Sequence, residues 1–412
     1  MGVVLNISYL VAAVAIFPFW IYRKLRARSL RDAICGRMGP WSIPVQGSPG
    51  RVLIHAVSVG EVNAASGLTD RLCDGGFDIV LSVTTETGFH RAVALASGRF
   101  PVVRSPLDLS WVVRRFLDGV APTVVVLVEL EVWPNFMRAC VRRSLPVLVV
   151  NGRLSDRSIR RYRWIKRFLS GSFRSLHTVL AQSETSRDRF VELGVPSDRV
   201  MVSGNMKWDA AHATIDESLV TQLAEELGID RTRPVIVAGS TEPIEHTLLQ
   251  SAVPSGVQLI VAPRRPEWFD GAALAFPGCR RRSTGEQGEG DVVILDSIGE
   301  LATAYALADV VVVGRSFGIR HGSDPMQPAA MGKAIVIGPA VSDFSDAVST
   351  LAAADGISQV NAEDLCGVLS ELITDEPRRR AMGEAAERLA KSACGATATS
   401  ASVIEGLMRA QR

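Results

Sequence analysis

Ile54-His55-Ala56-Val57-Ser58-Val59-Gly60-Glu61 decides the fold of this 412-residue chain. The β-branched run Val52–Val57 predicts a strand, the Ser/Gly turn breaks it, and Glu61 falls in the first turn of a helix. That is one βα step, and working crevices of open α/β sheets lie at the carboxyl ends of their strands. Glu61 therefore has two readings. Ser58-x-x-Glu61 is a capping box, in which both side chains satisfy free backbone donors. A carboxylate at a strand's carboxyl end is equally a candidate for chemistry.

The same step recurs. Apolar runs at Ile79–Thr84, Pro101–Ser105, Thr123–Leu130, Pro146–Val150, Thr178–Gln182 and Val200–Ser203 alternate with helical patterns. Near-continuous β-branched strands of this kind mark parallel sheets buried on both faces. After a loop and one amphipathic helix, a second series follows: Val235–Ala238, Gln258–Ala262, Asp291–Leu295, Asp309–Val313 and Ala334–Ile337. The polar stretch Arg280 to Gly290 reads as an exposed loop. The expected architecture is α/β: two Rossmann-like doubly wound domains facing a cleft, with an N-terminal membrane-anchor helix. Glycosyltransferases of the GT-B type and periplasmic binding proteins share that outline, the second disfavoured by an anchor with a cytoplasmic body. Expected boundaries are 1–28 for the anchor and its basic flank, 29–210 for the first domain, and 211–232 for a linker. The second domain then covers 233–390, and a helical tail 391–412.

Met1 to Tyr22 carries no charged side chain, and Arg23, Lys24, Arg26, Arg28 and Arg31 follow. About 20 apolar residues span a bilayer, and basic residues after them hold that end on the cytoplasmic side. The expectation is a single membrane anchor with the body in the cytoplasm. A net charge of +2 gives no general attraction for nucleic acid, and none is expected as a partner. The six cysteines are scattered without CxxC, which argues against a zinc site or a disulfide framework; no metal or cofactor is expected.

Other candidates sit at strand ends. Glu129 and Glu131, two apart on a strand, would share a face. Lys207 lies where the first series ends. Ala238-Gly239-Ser240-Thr241 follows a strand like a phosphate-cradling turn, but no GxGxxG or Walker motif is present. Ser297-Ile298-Gly299-Glu300 fits a second capping box. Gly314-Arg315-Ser316-Phe317-Gly318 leads toward a helix preceded by Asp324, Pro325 and Met326, whose free N–H groups would suit phosphate.

With these residues laid out, the chain resembles the 3-deoxy-D-manno-octulosonate (Kdo) transferases, from its start to about residue 345. The resemblance rests on HAVSVGE at 55–61, ELEVWPN at 129–135, NGRLSDRS at 151–158, AQSE at 181–184, SGNMKWD at 203–209, AGST at 238–241, APRRPE at 262–267, IGEL at 298–301 and QPAAMGKAIVIGP at 327–339. It implies an inverting enzyme that moves Kdo from CMP-Kdo to a lipid A precursor in the membrane, without an obligatory metal. It assigns Glu61 as general base, and Glu129 and Lys207 as transition-state stabilisers. Pro263, Arg264, Ile298, Gly299, Glu300 and the segment Asp324, Pro325, Met326, Gln327 would hold the CMP part. The chain departs from the family where Asp324 replaces an asparagine and Gln327 a glutamate, and TTETGFH at 84–90 is shorter than the family's segment. The competing readings are a GT-B enzyme with another activated sugar, and a non-catalytic membrane-bound homologue.

Overall fold

A computed structural model describes residues 36–44, 50–212, 215–285, 290–319 and 321–411. The expected anchor, Met1–Tyr22, lies outside the described residues. Among them, no helix is long and apolar enough to cross a membrane.

The chain divides into two compact units: residues 1–210 with 394–412, and residues 211–393. In the first, β1 (Arg51–Ala56), β2 (Asp78–Val83), β3 (Val102–Arg104), β4 (Val124–Val128), β5 (Val147–Gly152), β6 (Thr178–Ala181) and β7 (Val200–Val202) form one sheet. Its order is β3-β2-β1-β4-β5-β6-β7, parallel throughout. The order reverses between β1 and β4, so the switch-point crevice of this unit opens where Glu61 and Glu129 follow their strands.

Alternate residues build opposite cores. Leu53, Val125, Leu127 and Val149 pack on one face, with Phe116, Phe136 and Phe173. Val52, Ile54, Val124 and Val126 pack on the other, joined by Ala396, Ala401, Ile404 and Met408 from the C-terminal helix Ala396–Ala410. The expected tail thus belongs to the core of the first unit. Asp209 fastens it: its carboxylate accepts from Gly395 N (2.6 Å) and Thr397 N (2.8 Å), at the helix start. At the amino end of the same sheet Arg51 is 1% exposed. It pairs with Asp78 at 2.7 Å and donates to the carbonyls of Ile43, Pro44 and Val120. Paired and fully hydrogen-bonded, it is a structural arginine.

The carboxyl ends have their own device. Ser58, Thr85, Ser155 and Ser183 each cap the helix that follows a strand, accepting a backbone N–H. Short polar caps let each chain turn tightly from sheet to helix, which keeps the crevice-side loops short.

The second unit holds β8 (Val235–Thr241), β9 (Gln258–Pro263), β10 (Arg280–Arg281), β11 (Val292–Ile294), β12 (Val310–Val313), β13 (Ala334–Ile337) and β14 (Ser358–Gln359). Their order is β10-β11-β9-β8-β12-β13-β14, again parallel. β10 corrects the reading of 280–290 as loop from its first residue. Arg281 pairs with Asp296 and Asp270, and Arg282 with Glu300 and Glu226, so these charges are neutralised at the sheet edge. The helix Glu217–Leu227, expected within a linker, also belongs to this unit and turns Val220, Leu223, Ala224 and Leu227 inward. The helix Leu365–Thr374 covers one face of the sheet with Leu365, Leu369 and Leu372.

Candidate active site

The first-unit site is built on three strand ends. After β1, the helix Val59–Ala64 starts at Ser58, whose Oγ accepts from Glu61 N at 3.4 Å. The Glu61 carboxylate turns back, accepting from Val57 N (2.7 Å) and from the Ser58 hydroxyl (3.1 Å). This is a capping box shifted by one residue, since the backbone donor is Val57 rather than Ser58. The cap does not exhaust the carboxylate, because each oxygen carries two lone pairs. Burial raises the Glu61 pKa from 4.5 to about 7 against the two hydrogen bonds that lower it, and the negative charge of Glu129 raises it further. The helix start favours the ionised form, but desolvation wins.

After β4, Glu129 sits at φ +61°, outside the strand. The expectation that Glu129 and Glu131 share a strand face is therefore corrected: the left-handed turn ends strand geometry before either residue. Glu131 accepts from Trp133 Nε1 at 2.6 Å, and burial raises its pKa while the charge of Arg37 opposes the rise. Glu129 instead pairs with Lys207 at 3.3 Å. Lys207 is aimed by two asparagines. Asn205 Oδ1 accepts from Lys207 N, and Asn151 Oδ1 from Met206 N, each at 3.0 Å, at the start of the short helix Met206–Ala211.

Glu61 and Glu129 share an open pocket of about 260 Å³ with Leu130, Glu131, Arg153, Ser155, Ser158 and Tyr162. Arg153, Ser155, Ser158 and Tyr162 were not singled out as site residues in the sequence, where the first three appeared only within the motif NGRLSDRS at 151–158. Asn151 was missed too. Its position directly after a strand is the one available signal, and its φ of +54° suits asparagine better than most residues.

Replacing Lys207 by methionine is expected to lower turnover about 10²-fold, the scale for losing one positioned charge donor. It should also move the acidic limb of the pH–rate profile upward, because unpaired Glu129 then repels the Glu61 carboxylate more strongly. Steady-state rates against pH check both. An unmoved limb with full turnover would reduce the pair to a surface salt bridge.

In the second unit, the expected donor residues follow β9, β11 and β12 in the chain, Asp324 to Gln327 at the start of the helix Met326–Ala330. Pro263 ends β9, and Arg264 N donates to Thr241 O at 3.0 Å. Ile298 and Gly299 are exposed after β11. Glu300 is a correction to the expected capping box. It precedes the helix Leu301–Leu307 without capping it, because its carboxylate is held by Arg282 at 3.0 Å and by the Ser297 hydroxyl. Asp324 caps the helix Met326–Ala330 through Met326 N at 2.8 Å. Arg264 and Asp324 both act on the fully buried Tyr305 hydroxyl, whose pKa is raised chiefly by burial, with Asp324 adding and Arg264 opposing.

The loop after β12 differs from expectation. Its N–H groups are taken by Glu245, a buried carboxylate that accepts from Arg315 N (2.8 Å), Ser316 N (2.9 Å) and Phe317 N (3.2 Å). A fourth donor is Glu242 N at 2.9 Å. Burial raises the Glu245 pKa despite these bonds. Ser316 Oγ then accepts from Gly338 N at 2.9 Å, tying this loop to the turn after β13. A side-chain carboxylate thus fills the anion nest that the Gly-rich pattern suggested for phosphate. Asp324 likewise takes the first donor of the next helix.

Two parallel Rossmann-like units define the fold class, one shared with GT-B glycosyltransferases and sugar-nucleotide epimerases. A glycosyltransferase from Rickettsia africae matches 88% of this chain and 99% of its own, with a TM-score of 0.60 and 12% identity. A UDP-GlcNAc 2-epimerase from Neisseria meningitidis matches 83% and 99%, with a TM-score of 0.58 and 13% identity. Residues 32–210 match the family model of the 3-deoxy-D-manno-octulosonic-acid transferase (kdotransferase). The 3-deoxy-D-manno-octulosonic acid transferase of Bordetella pertussis is 30% identical over 94% of this chain and 95% of its own. That of Haemophilus influenzae is 31% identical over 82% of both. The chain belongs to the 3-deoxy-D-manno-octulosonic acid transferases, and is a glycosyltransferase of lipopolysaccharide biosynthesis.

Proposed function

We propose that the chain transfers Kdo from CMP-Kdo to a hydroxyl of a membrane-borne lipid A precursor, with inversion at the anomeric carbon. The observation that carries this reading is Glu61: a carboxylate with a pKa near 7, lining a pocket beside the Glu129–Lys207 pair. A base poised near the working pH combines ionisation with proton affinity. The acceptor O–H gives its proton to Glu61 as its oxygen bonds to C2 of the sugar. The C2–O bond to the phosphate breaks, and CMP departs with that electron pair. Lys207 offsets the negative charge that builds up. Pro263, Arg264, Ile298, Gly299, Glu300, Pro325, Met326 and Gln327 hold the nucleotide in this reading, with Asp324 shaping the loop. The apolar Met1–Tyr22 anchors the body on the cytoplasmic face of the inner membrane, where such an acceptor resides.

The test supplies purified full-length protein with CMP-Kdo and a tetraacylated lipid A precursor, and weighs the product by mass spectrometry. Addition of one or more Kdo masses is expected. Turnover with another CMP- or UDP-sugar, and none with CMP-Kdo, would favour a GT-B enzyme of different donor. The Gln327→Glu variant sharpens this. A carboxylate is the stronger acceptor for a ribose hydroxyl, so CMP-Kdo should bind about tenfold tighter, within the margin that charge-assisted bonds add. Weaker binding, measured calorimetrically, would count against the assigned donor.

A further inference from the structure

The helix Asp156–Arg174 presents two opposite faces. Ile159, Leu169 and Phe173 point inward, with Tyr162 edge-on to Phe173 at 5.7 Å. On the outward face Trp164 is 91% exposed and Phe168 75% exposed, one turn apart. Ile165 lies beside them, also exposed. Around this aromatic pair stand the exposed Arg157, Arg160, Arg161 and Arg167. The helix's one acid, Asp156, is already paired with Arg189, and Arg163 with Glu192. Arg157, Arg161 and Arg167 have no acidic partner among the described residues. Large aromatics left in water amid unneutralised arginines match an interfacial helix, apolar at its centre and basic at its margins.

We propose that this outward face docks on an anionic lipid surface, with Trp164 and Phe168 entering the headgroup boundary and the arginines meeting lipid phosphates. Charge selects this occupant over a second copy of the chain. A two-fold contact would set the same arginines against each other, whereas an anionic leaflet complements them. The placement also serves the site: Ser155, Ser158 and Tyr162, which line the pocket holding Glu61, come from the cap and first two turns of this helix. A helix lying flat therefore holds that pocket on its inward side, about one helix diameter (roughly 10 Å) from the membrane surface. The inference rests on the reading of the acceptor as a membrane lipid.

The test uses the full chain in vesicles of phosphatidylcholine, with or without phosphatidylglycerol. It follows tryptic cleavage and amide exchange across 156–174, and quenching of Trp164 by brominated acyl chains, taken as the difference between wild type and Trp164→Phe. Anionic vesicles should protect the helix and quench Trp164; each arginine changed to glutamine should weaken docking about fivefold. The double change Trp164→Ser with Phe168→Ser should abolish protection. It should lower transfer to vesicle-embedded acceptor about tenfold, the scale of losing two interfacial aromatics, while transfer to detergent-dispersed acceptor stays within about twofold. Equal exchange in both lipids would overturn the proposal. So would protection by a soluble oligonucleotide, or concentration-dependent protection without lipid, which would give the face to nucleic acid or to a second copy. If wild type fails to glycosylate dispersed acceptor, the proposed function falls, while the docking measurements still stand or fall by themselves.

Discussion

Glu61→Gln lowers turnover about 10²–10⁴-fold, the usual range for losing a general base, and leaves the fold intact. Glutamine keeps a carbonyl oxygen to accept from Val57 N, so the turn after β1 retains its main hydrogen bond. The linkage sets the sign of a second effect. Burial raises the folded pKa of Glu61 to about 7 from 4.5, so the folded state binds this proton more tightly than the unfolded chain does. The group's contribution to stability is therefore greatest below pH 4.5 and is lost as pH rises to about 7. Above that, glutamine is no worse than the ionised carboxylate, and Tm should stay level or rise. In wild type, kcat/KM should climb with pH up to about 7 and then level off. Glu129→Gln should shift that limb to lower pH, because it removes a negative neighbour. Turnover of Glu61→Gln within a few-fold of wild type, with normal nucleotide binding, would leave Glu61 only its cap.

Deleting residues 394–412 is expected to unfold the first unit. Ile404 and Met408 are buried against the face of the sheet that carries Val52, Ile54, Val124 and Val126. Truncating either side chain to alanine costs about 2–5 kcal/mol. Losing both, together with the helix backbone, consumes most of the 5–15 kcal/mol that holds an ordinary domain folded. Asp209 would also lose the two N–H groups it caps, on the same short helix that carries Lys207. Calorimetry should show the transition of the first unit vanish. Ile404→Ala should lower it by several degrees, and Asp209→Ala by less, since a lost cap costs about 1 kcal/mol. An unchanged transition in the deletion would mean the helix is a passenger.

Twelve of the fourteen strands in the two sheets were legible as apolar runs. Parallel strands buried on both faces need β-branched residues at every position, so each reads without knowledge of its neighbours. The two that escaped, Arg280–Arg281 and Ser358–Gln359, are two-residue edge strands, too short for any period. The order of motifs from HAVSVGE to QPAAMGKAIVIGP likewise carried the family, and strand ends pointed to Glu61 and Glu129, whereas Tyr162, inside the helix after β5, gave no such signal.

Sequence by itself determined which residues stand at the carboxyl ends of strands, because that depends only on local pattern. The tertiary structure decided what those residues do there. Whether Glu61 is a weak acid or one near pH 7 depends on burial and on Glu129, which is distant along the chain but adjacent across the switch point. That Glu245 fills the nest after β12 depends on a carboxylate 70 residues from Arg315. That the C-terminal helix completes the first sheet depends on contacts 186 and 188 residues apart at Asp209. Propensity acts over a few residues, whereas desolvation and long-range contacts are properties of the folded chain alone.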